Sequence, residues 1–264
     1  MPRFAANLSM MFTDVPFPQR FEAAARAGFT AVEFLFPYEF PAAQIARWLA
    51  DNGLENVLFN LPPGDWPGGE RGCASLPGRE AEFLAAVERA LEYADRLGTP
   101  RLHAMAGILP AGADRRRHRE AYVANLTAGA QRAAKAGRTL LIEPINARDI
   151  PGFFLNTQAE AHAIREEVGE PNLKVQMDFY HAQIVGGDLA VTFRTHVGGI
   201  GHVQIAGVPE RSEPDRGEVN YEYLFSLMDE VGYESWVGCE YRPSGRTEDG
   251  LGWLTTWRQG RHRE

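Results

Sequence analysis

The sequence predicts one α/β domain over residues 1–264, a (β/α)8 barrel, from three observations. Short apolar runs alternate with amphipathic helical patterns along the whole chain, which is typical of parallel strands joined by helices. Eight such runs occur, and 264 residues match the roughly 250 that an eight-stranded barrel needs. No early strand is followed by the G-x-G-x-x-G motif that would favour the alternative, a doubly wound open sheet.

The eight predicted strands are short and bounded by Gly, Pro or polar turn residues. They cover residues 3–10, 31–36, 56–62, 100–107, 139–146, 173–179, 200–207 and 235–241. Amphipathic patterns between them predict helices, and Thr157 and Asn220 are the expected N-caps of two of these. Long loops after the third and seventh strands are expected to overhang one end of the barrel.

Composition and charge exclude several classes of function. A net charge of -8 opposes nucleic-acid binding, because phosphate contacts require a basic surface. Two cysteines are too few for a disulfide framework, and no run of 18 apolar residues predicts a membrane span. The first residues do not resemble a signal peptide, so we expect a cytoplasmic protein. The sequence leaves open whether the chain forms a homo-oligomer.

Four consecutive strands carry a polar side chain at or near their C-terminal end. Glu143 ends the fifth strand, Asp178 the sixth and Glu240 the eighth, and Gln204 lies near the end of the seventh. In such a barrel, catalytic groups come from the C-terminal ends of the strands. For each acid alone, a helix cap or an Arg partner is the alternative explanation. We expect all four side chains to lie at one level of the barrel mouth.

Three carboxylates brought together predict a bound divalent cation. Without a cation they would raise one another's pKa values. The four side chains offer only hard oxygen donors, which favours Mg2+ or Mn2+ over a closed structural zinc site. Four protein donors out of about six positions leave room for a chelating substrate. His181, three residues after Asp178, is expected to reach a bound substrate oxygen.

Two other polar residues on these strands have more ordinary explanations. His202 shares a strand face with Gln204 but lies about 7 Å deeper, whereas Val203 and Ile205 face the helices. We interpret His202 as a core histidine that hydrogen-bonds within the barrel, with support of the metal ligands as the alternative. Lys174 lies toward the bottom of the barrel, where we expect an internal ion pair rather than a Schiff-base nucleophile.

Long segments of the chain resemble the hydroxypyruvate isomerase family. They include "FAANLSMMF", "FNLPPGDWPGGERG", "LLIEPIN", "VQMDFYHAQ", "GHVQIAGVPERSEPDRGEVNY" and "VGCEYRP". The resemblance covers nearly the whole chain. It implies a xylose-isomerase-like TIM barrel, the architecture that the alternation of strands and helices also predicts.

The resemblance implies an activity and a set of site residues. It implies catalytic roles for Glu143 and Glu240, and metal ligation by Glu143, Asp178, Gln204 and Glu240. The implied reaction interconverts hydroxypyruvate and 2-hydroxy-3-oxopropanoate through an enediolate, with the glutamates moving the proton and Mg2+ or Mn2+ stabilising charge. Isomerisation of 2-oxo-tetronates or 3-epimerisation of ketoses by the same fold is the alternative.

A small oxo-acid substrate requires a cation for its carboxylate. Arg71, on the loop after the third strand, is the predicted partner, and Arg211 and Arg242 are its competitors. The rival functions are an apurinic-site endonuclease, a Schiff-base aldolase that uses Lys174, and a sugar-acid binding protein. The endonuclease would need a His-rich zinc cluster and a basic groove, and the sequence predicts neither.

Overall fold

Eight parallel strands close into a barrel in the order of the chain. The computed structural model describes residues 2–260, so Met1 and residues 261–264 of the predicted domain lie outside the described residues. The last strand pairs with the first, which closes the sheet. The predicted (β/α)8 fold is therefore confirmed. The strands are β1 Arg3–Asn7, β2 Ala31–Phe34, β3 Glu55–Asn60, β4 Arg101–His103, β5 Thr139–Ile142, β6 Leu173–Asp178, β7 Ile200–Ile205 and β8 Trp236–Cys239.

At least one helix follows each strand. Most of the helices are amphipathic, and their apolar stripes are buried. None of the helices within residues 2–260 is long and apolar enough to cross a membrane. The helices are α1 Phe17–Arg26, α2 Ala42–Asp51, α3 Glu80–Leu97, α4 Arg115–Lys135, α5 Gln158–Val168, α6 Phe179–Val185, α7 Leu189–His196, α8 Tyr221–Glu230 and α9 Gly252–Gly260.

Local capping of the helices follows the sequence. Thr157 Oγ1 accepts a hydrogen bond from the Glu160 amide at 3.1 Å, and Asn220 Oδ1 accepts one from the Tyr223 amide at 3.0 Å. Each bond satisfies a backbone N–H in the first turn of a helix, which has no partner within the helix. Both predicted N-caps are therefore confirmed.

Several strands end earlier than the apolar runs predict. Strand β5 stops at Ile142 rather than at residue 146, and β4 stops at His103 rather than at residue 107. Pro144 has no N–H and cannot continue the ladder beyond β5. Glu143 therefore directly follows its strand, and Glu240 directly follows β8 in the same way.

Strand β7 shows the predicted alternation of its two faces. Val203 and Ile205 belong to the main apolar core, which includes the buried faces of the helices. His202 and Gln204 point to the barrel interior, where both contact the carboxylate of Glu33 from β2. This contact crosses the barrel, because β2 and β7 are not neighbours in the sheet.

Candidate active site

A cavity of about 710 Å³ opens at the C-terminal ends of the strands. Arg71, Glu143, His181 and Glu240, four of the six predicted site residues, line this cavity. The other two, Asp178 and Gln204, are 0% and 2% exposed. The structure therefore places the predicted residues at the mouth of one barrel, partly on the cavity wall and partly buried behind it.

Glu143 is buried with few partners for its carboxylate. Its Oε2 lies 3.6 Å from His103 Nδ1, and its Oε1 lies 3.9 Å from His181 Nε2. Among the described residues, no hydrogen bond reaches Oε1. Burial raises the pKa of Glu143 well above its ordinary value, and the neighbouring Glu240 and Asp178 raise it further. This carboxylate is therefore well suited to hold a proton.

Glu240 is held between an amide and a guanidinium. Asn7 Nδ2 donates to its Oε1 at 3.2 Å, and Arg211 Nη2 donates to its Oε2 at 2.6 Å. The same guanidinium lies 3.6 Å from Asp178 Oδ2 and 3.3 Å from Asp149 Oδ2. Burial still raises the pKa of Glu240 to about 8, because desolvation outweighs the attraction of Arg211.

The loop after β7 carries Arg211 in a constrained conformation. Its φ of 57° lies in the left-handed region, which a residue with a side chain rarely adopts. The backbone N–H of Arg211 donates to the Gly207 carbonyl at 2.8 Å, and its carbonyl accepts from the Arg242 amide at 2.8 Å. These bonds fix the backbone from which the guanidinium reaches the carboxylates.

Asp178 has one structural oxygen and one that faces the site. Its Oδ1 accepts from the Tyr180 amide at 2.8 Å and caps α6. The helix cap that the sequence offered as the alternative explanation for this acid is therefore also correct. Its Oδ2 is buried without a hydrogen bond from any described residue and lies 3.6 Å from His181 Nε2. Burial raises the pKa of Asp178 to about 6.

His181 is fixed in one tautomer by Asn146. The Asn146 backbone N–H, which can only donate, lies 3.5 Å from His181 Nδ1, and the Asn146 side-chain nitrogen lies 2.6 Å from it. The Asn146 side-chain oxygen is committed to the Asp149 amide at 2.8 Å. The short Asn146 contact makes Nδ1 an acceptor and places the ring proton on Nε2, which faces the carboxylates; the Arg211 Nη2 donor lies 3.5 Å from Nε2, at the limit of hydrogen-bond distance. Burial and Arg211 lower the pKa of His181, which keeps the ring neutral.

Four buried side chains converge at this point, and the three carboxylates among them are able to hold a metal ion. One oxygen each of Glu143, Asp178 and Glu240 and one ring nitrogen of His181 lie within 4.8 Å of one another. Glu143 Oε1 and Asp178 Oδ2 are buried without hydrogen bonds from the described residues, as expected of atoms that serve as ligands of a cation. Arg211 brings one positive charge to three carboxylates. The donor set therefore fits a divalent ion.

Gln204, the predicted neutral ligand, is held on both sides. Its Oε1 accepts from Gln176 Nε2 at 2.6 Å, and its Nε2 donates to Glu33 Oε1 at 2.7 Å. His202 Nε2 lies 2.7 Å from Glu33 Oε2, so this histidine hydrogen-bonds within the barrel, as the sequence predicted. Metal ligation by Gln204 stays a prediction.

The sequence reasoning missed several buried polar residues of the barrel interior, among them Gln176, which contacts Gln204, and three on the earlier strands. Asn7, Glu33 and His103 are each about 1% exposed, and each contacts another polar side chain of the site. The available signal was the same one that identified Glu143 and Glu240, a polar residue in an apolar strand. That signal was applied only to the C-terminal ends of strands five to eight.

Arg71 lines the cavity from the loop after β3. Its guanidinium stacks 3.8 Å from the ring centre of Trp66, and its Nη1 donates to the Trp66 and Glu70 carbonyls at 3.1 and 2.6 Å. Among the described residues, these bonds use only Nη1, which leaves Nε and Nη2 to bind a ligand. Gly72 has a φ of 85°, and a Cβ there would collide with the Met105 carbonyl. The loop therefore lies directly against the segment after β4.

The predicted ion pair of Lys174 is wrong, because its partner is not a carboxylate. Its ammonium donates to the Gly198 carbonyl at 3.1 Å rather than to a carboxylate. Gly198 lies two residues before β7, and Lys174 is near the start of β6, so the contact lies at the N-terminal end of the barrel. A partly exposed ammonium there needs only a carbonyl and water, and it is remote from the cavity.

The chain is similar along most of its length to proteins named as isomerases. It is 60% identical over 254 residues to the 2-oxo-tetronate isomerase of Cupriavidus necator, covering 96% of this chain and 98% of that protein. It is 46% identical to the hydroxypyruvate isomerase of Escherichia coli, covering 98% of this chain and all of that protein.

A solved structure shares the fold of the chain, and a family profile matches most of its length. The structure titled AP endonuclease, family 2, from Brucella melitensis matches with a TM-score of 0.96 and 53% identity, over 97% of this chain and 99% of that one. The profile described as xylose isomerase-like TIM barrel matches residues 21–257. The chain therefore belongs to the xylose isomerase-like TIM barrel family.

Proposed function

We propose that the protein is an isomerase that moves a carbonyl group between adjacent carbons of a short hydroxy-oxo acid. The proposed reaction interconverts hydroxypyruvate and 2-hydroxy-3-oxopropanoate, with 2-oxo-tetronate as the alternative substrate. One observation carries the proposal: two glutamates, Glu143 and Glu240, line one cavity, offer ligand atoms within 4.8 Å of each other, and are both biased toward the protonated form.

The two glutamates are suited to move one proton between neighbouring carbons. One carboxylate removes the proton from the carbon next to the carbonyl, which gives an enediol or its anion. A proton is then returned to the former carbonyl carbon, and the carbonyl forms at the neighbouring carbon as the hydroxyl proton there passes to the former carbonyl oxygen. The raised pKa of Glu240, about 8, favours this exchange, because a carboxyl group that titrates in this range can both accept and return a proton. Glu143 Oε1, which receives no hydrogen bond from the described residues, is the better placed acceptor.

Neighbouring residues are suited to hold the substrate oxygens. His181 presents its Nε2–H toward the carboxylates, so it is able to donate a hydrogen bond to a substrate oxygen there. The two Nη groups of Arg211 are committed to Glu240 and Asp149, which leaves only its buried Nε without a partner among the described residues, whereas Arg71 keeps both Nε and Nη2 for a ligand. The substrate carboxylate is therefore assigned to Arg71 rather than to Arg211. Arg242 is exposed at the rim and is less preorganised for this role.

A divalent cation, Mg2+ or Mn2+, would be held by Glu143, Asp178 and Glu240, with Gln204 as the predicted neutral donor. When bound, such an ion supplies Lewis-acid polarisation of the substrate carbonyl and charge for the enediolate. Because His181 carries its proton on Nε2, it contributes a donor to this arrangement rather than a lone pair. The proposed ligand set is therefore made of oxygen atoms, which Mg2+ and Mn2+ prefer.

The four-carbon acid is a serious alternative on two observations. The relative that is 60% identical carries the name 2-oxo-tetronate isomerase, and so do two relatives at 47% and 44% identity. A cavity of about 710 Å³ also leaves space beyond a three-carbon acid. The chemistry at the two reacting carbons is the same for either substrate, so only their relative rates distinguish them.

Proton NMR in D2O tests the reaction class directly. Hydroxypyruvate, 2-oxo-tetronates and free ketoses are each incubated with the protein, with and without a chelator. We expect isomerisation of an oxo-acid with deuterium incorporated at the reacting carbon, and a loss of rate with chelator that added Mn2+ restores. The ratio of kcat/KM values for the two acids then assigns the substrate.

Two outcomes, one in this assay and one in a separate DNA cleavage assay, would contradict the proposal. Binding of an oxo-acid without turnover or deuterium exchange would indicate a binding protein. Cleavage of a duplex containing an abasic site, without turnover of any acid, would indicate an endonuclease. The net charge of -8 and the carboxylates of the cavity oppose phosphodiester binding, so we expect no cleavage. The Glu143→Gln variant is the control for background exchange.

A further inference from the structure

Glu33 is a fully buried acid for which the proposed reaction has no direct use. It is 1% exposed and comes from β2, which is separated from β7 by β8 and β1 in the closed sheet. Its Oε2 lies 2.7 Å from His202 Nε2. Its Oε1 accepts from Gln204 Nε2 at 2.7 Å and from Asn7 Nδ2 at 3.0 Å. One carboxylate thus gathers nitrogen atoms from three other side chains.

This arrangement decides which way two side-chain amides face. A carboxylate accepts hydrogen bonds, so the nitrogen atoms of the Asn7 and Gln204 amides must face Glu33 and their oxygens must face away. The other contacts agree with this orientation. Asn7 Oδ1 accepts from the Ser9 amide at 3.0 Å, and Gln204 Oε1 accepts from Gln176 Nε2 at 2.6 Å.

Each of the two oriented amides connects Glu33 to the candidate metal centre. Gln204 Oε1, directed away from Glu33, is the atom predicted to serve as the neutral ligand. Asn7 Nδ2 bonds both Glu33 Oε1 and Glu240 Oε1, at 3.0 and 3.2 Å. A single carboxylate therefore fixes one proposed ligand directly and another, Glu240, through Asn7.

Strand β8 makes space for this carboxylate. Gly238 lies opposite both Gln204 and Ala5 in the sheet. A Cβ at Gly238 would collide with both carboxylate oxygens of Glu33. The strand thus lacks a side chain at the point where Glu33 must reach the barrel axis. Glycine at position 238 of β8 is therefore required by the position of the Glu33 carboxylate.

We propose that Glu33 is a positioning residue, which turns the Gln204 amide oxygen toward the candidate metal centre and holds Glu240 in place through Asn7. This inference rests on the proposed function, because it assigns Gln204 and Glu240 to the metal. Glu33 itself touches neither substrate nor metal. Substitutions of residues that orient metal ligands typically lower metal affinity by about 10- to 100-fold.

Mn2+ titration followed by electron paramagnetic resonance separates position from charge. Glu33→Asp keeps the charge but withdraws the carboxylate by one methylene, about 1.5 Å, from its three partners. Glu33→Gln keeps the length but removes the charge. Thr99→Val is the control, because it removes a buried hydrogen bond to Asn56 near the start of β3 and leaves the metal centre intact. Circular dichroism confirms the fold of each variant.

We expect Glu33→Asp and Glu33→Gln each to weaken Mn2+ binding by about 10-fold or more, with Thr99→Val within twofold of wild type. Wild-type affinity in Glu33→Asp, with weak binding only in Glu33→Gln, would show that Glu33 acts by charge and would overturn the proposal. The folded Glu33→Asp variant alone decides between these results. Absence of Mn2+ binding by the wild-type protein would instead overturn the metal site of the proposed function.

Discussion

The two ends of the barrel differ in how completely their polar groups are hydrogen-bonded. At the N-terminal end, Arg101 Nε donates to the Gly201 carbonyl at 2.9 Å and Nη2 donates to Ser235 Oγ at 2.6 Å. Arg3 there donates to the Glu234 carbonyl at 2.8 Å and stacks on Trp236. At the C-terminal end, Glu143 Oε1 is buried and receives no hydrogen bond from the described residues.

The difference teaches how to distinguish structural from functional polar groups in one fold. A guanidinium that donates to carbonyl and hydroxyl oxygens stabilises the sheet, and its hydrogen bonds are satisfied without a ligand. A cluster of buried carboxylates that shares one guanidinium is destabilised until a proton or a cation arrives. The candidate site is therefore marked by the bonds that its atoms lack as well as by its residue types.

The largest expected effect is on the two glutamates of the C-terminal end. We expect Glu143→Gln and Glu240→Gln each to lower kcat by about 10²–10⁴-fold, the usual contribution of a general acid or base. Both variants should remain folded, because the amide keeps the shape of a carboxyl group that is itself biased toward neutrality. Steady-state kinetics and circular dichroism measure both properties, and wild-type kcat in either variant would refute its assigned role.

A smaller effect is expected from the cavity wall. Arg71→Ala should raise KM by about 10- to 100-fold, because a charge-assisted hydrogen bond to the substrate carboxylate is worth about 1.5–3 kcal/mol. We expect kcat to change less, since Arg71 lies on a loop and does not touch the glutamates. Arg242→Ala, at the exposed rim of the same cavity, is the matched control. A larger KM effect in Arg242→Ala would move the carboxylate site to that residue.

The fold was predictable from the sequence because periodicity reports local structure. Eight apolar runs and their spacing suffice for a barrel, and strand-end residues such as Glu143 and Glu240 follow from the rule that parallel strands end together. Even the paired direction of His202 and Gln204 follows from the two-residue repeat of a strand.

The contacts across the barrel were not predictable in this way. Glu33 reaches His202 and Gln204 from a strand that is not their neighbour, so barrel closure and register must be known before the contact can be inferred. The orientation of Arg211 depends on a left-handed backbone in a long loop, for which the sequence has no glycine as a signal. Predictions of this kind need three-dimensional distances.

The pH dependence of stability should reveal, without any substrate, how unfavourable the buried carboxylates of the C-terminal end are when they are charged. In the metal-free protein the pKa values of Glu240 and Asp178 are raised to about 8 and about 6, above the unfolded values of about 4.3 and 3.9. The folded state thus binds more protons, and stability falls as pH rises from about 4 to 8. Thermal unfolding with chelator should show a melting temperature that falls by several degrees across this window.

Two controls distinguish this effect from general sensitivity to alkali. Glu240→Gln removes one of the titrating groups, so its melting temperature should fall less steeply over the same window. Added Mn2+ should also reduce the fall, because a cation stabilises the deprotonated carboxylates. A melting temperature that is flat or rises between pH 5 and 8 in chelator would contradict the raised pKa values.

The smallest effect on activity is expected at the N-terminal end. Arg101→Met removes the hydrogen bonds to the Gly201 carbonyl and Ser235 Oγ, and we expect a loss of about 1–3 kcal/mol in the free energy of unfolding. The kcat and KM values should stay within twofold of wild type, because the residue begins β4 while the candidate site follows the strand ends. Denaturant unfolding and steady-state kinetics measure the two quantities. A fall in kcat in the folded variant would show that the two ends are coupled through the strands, and the separation of structural from functional polar groups would then fail.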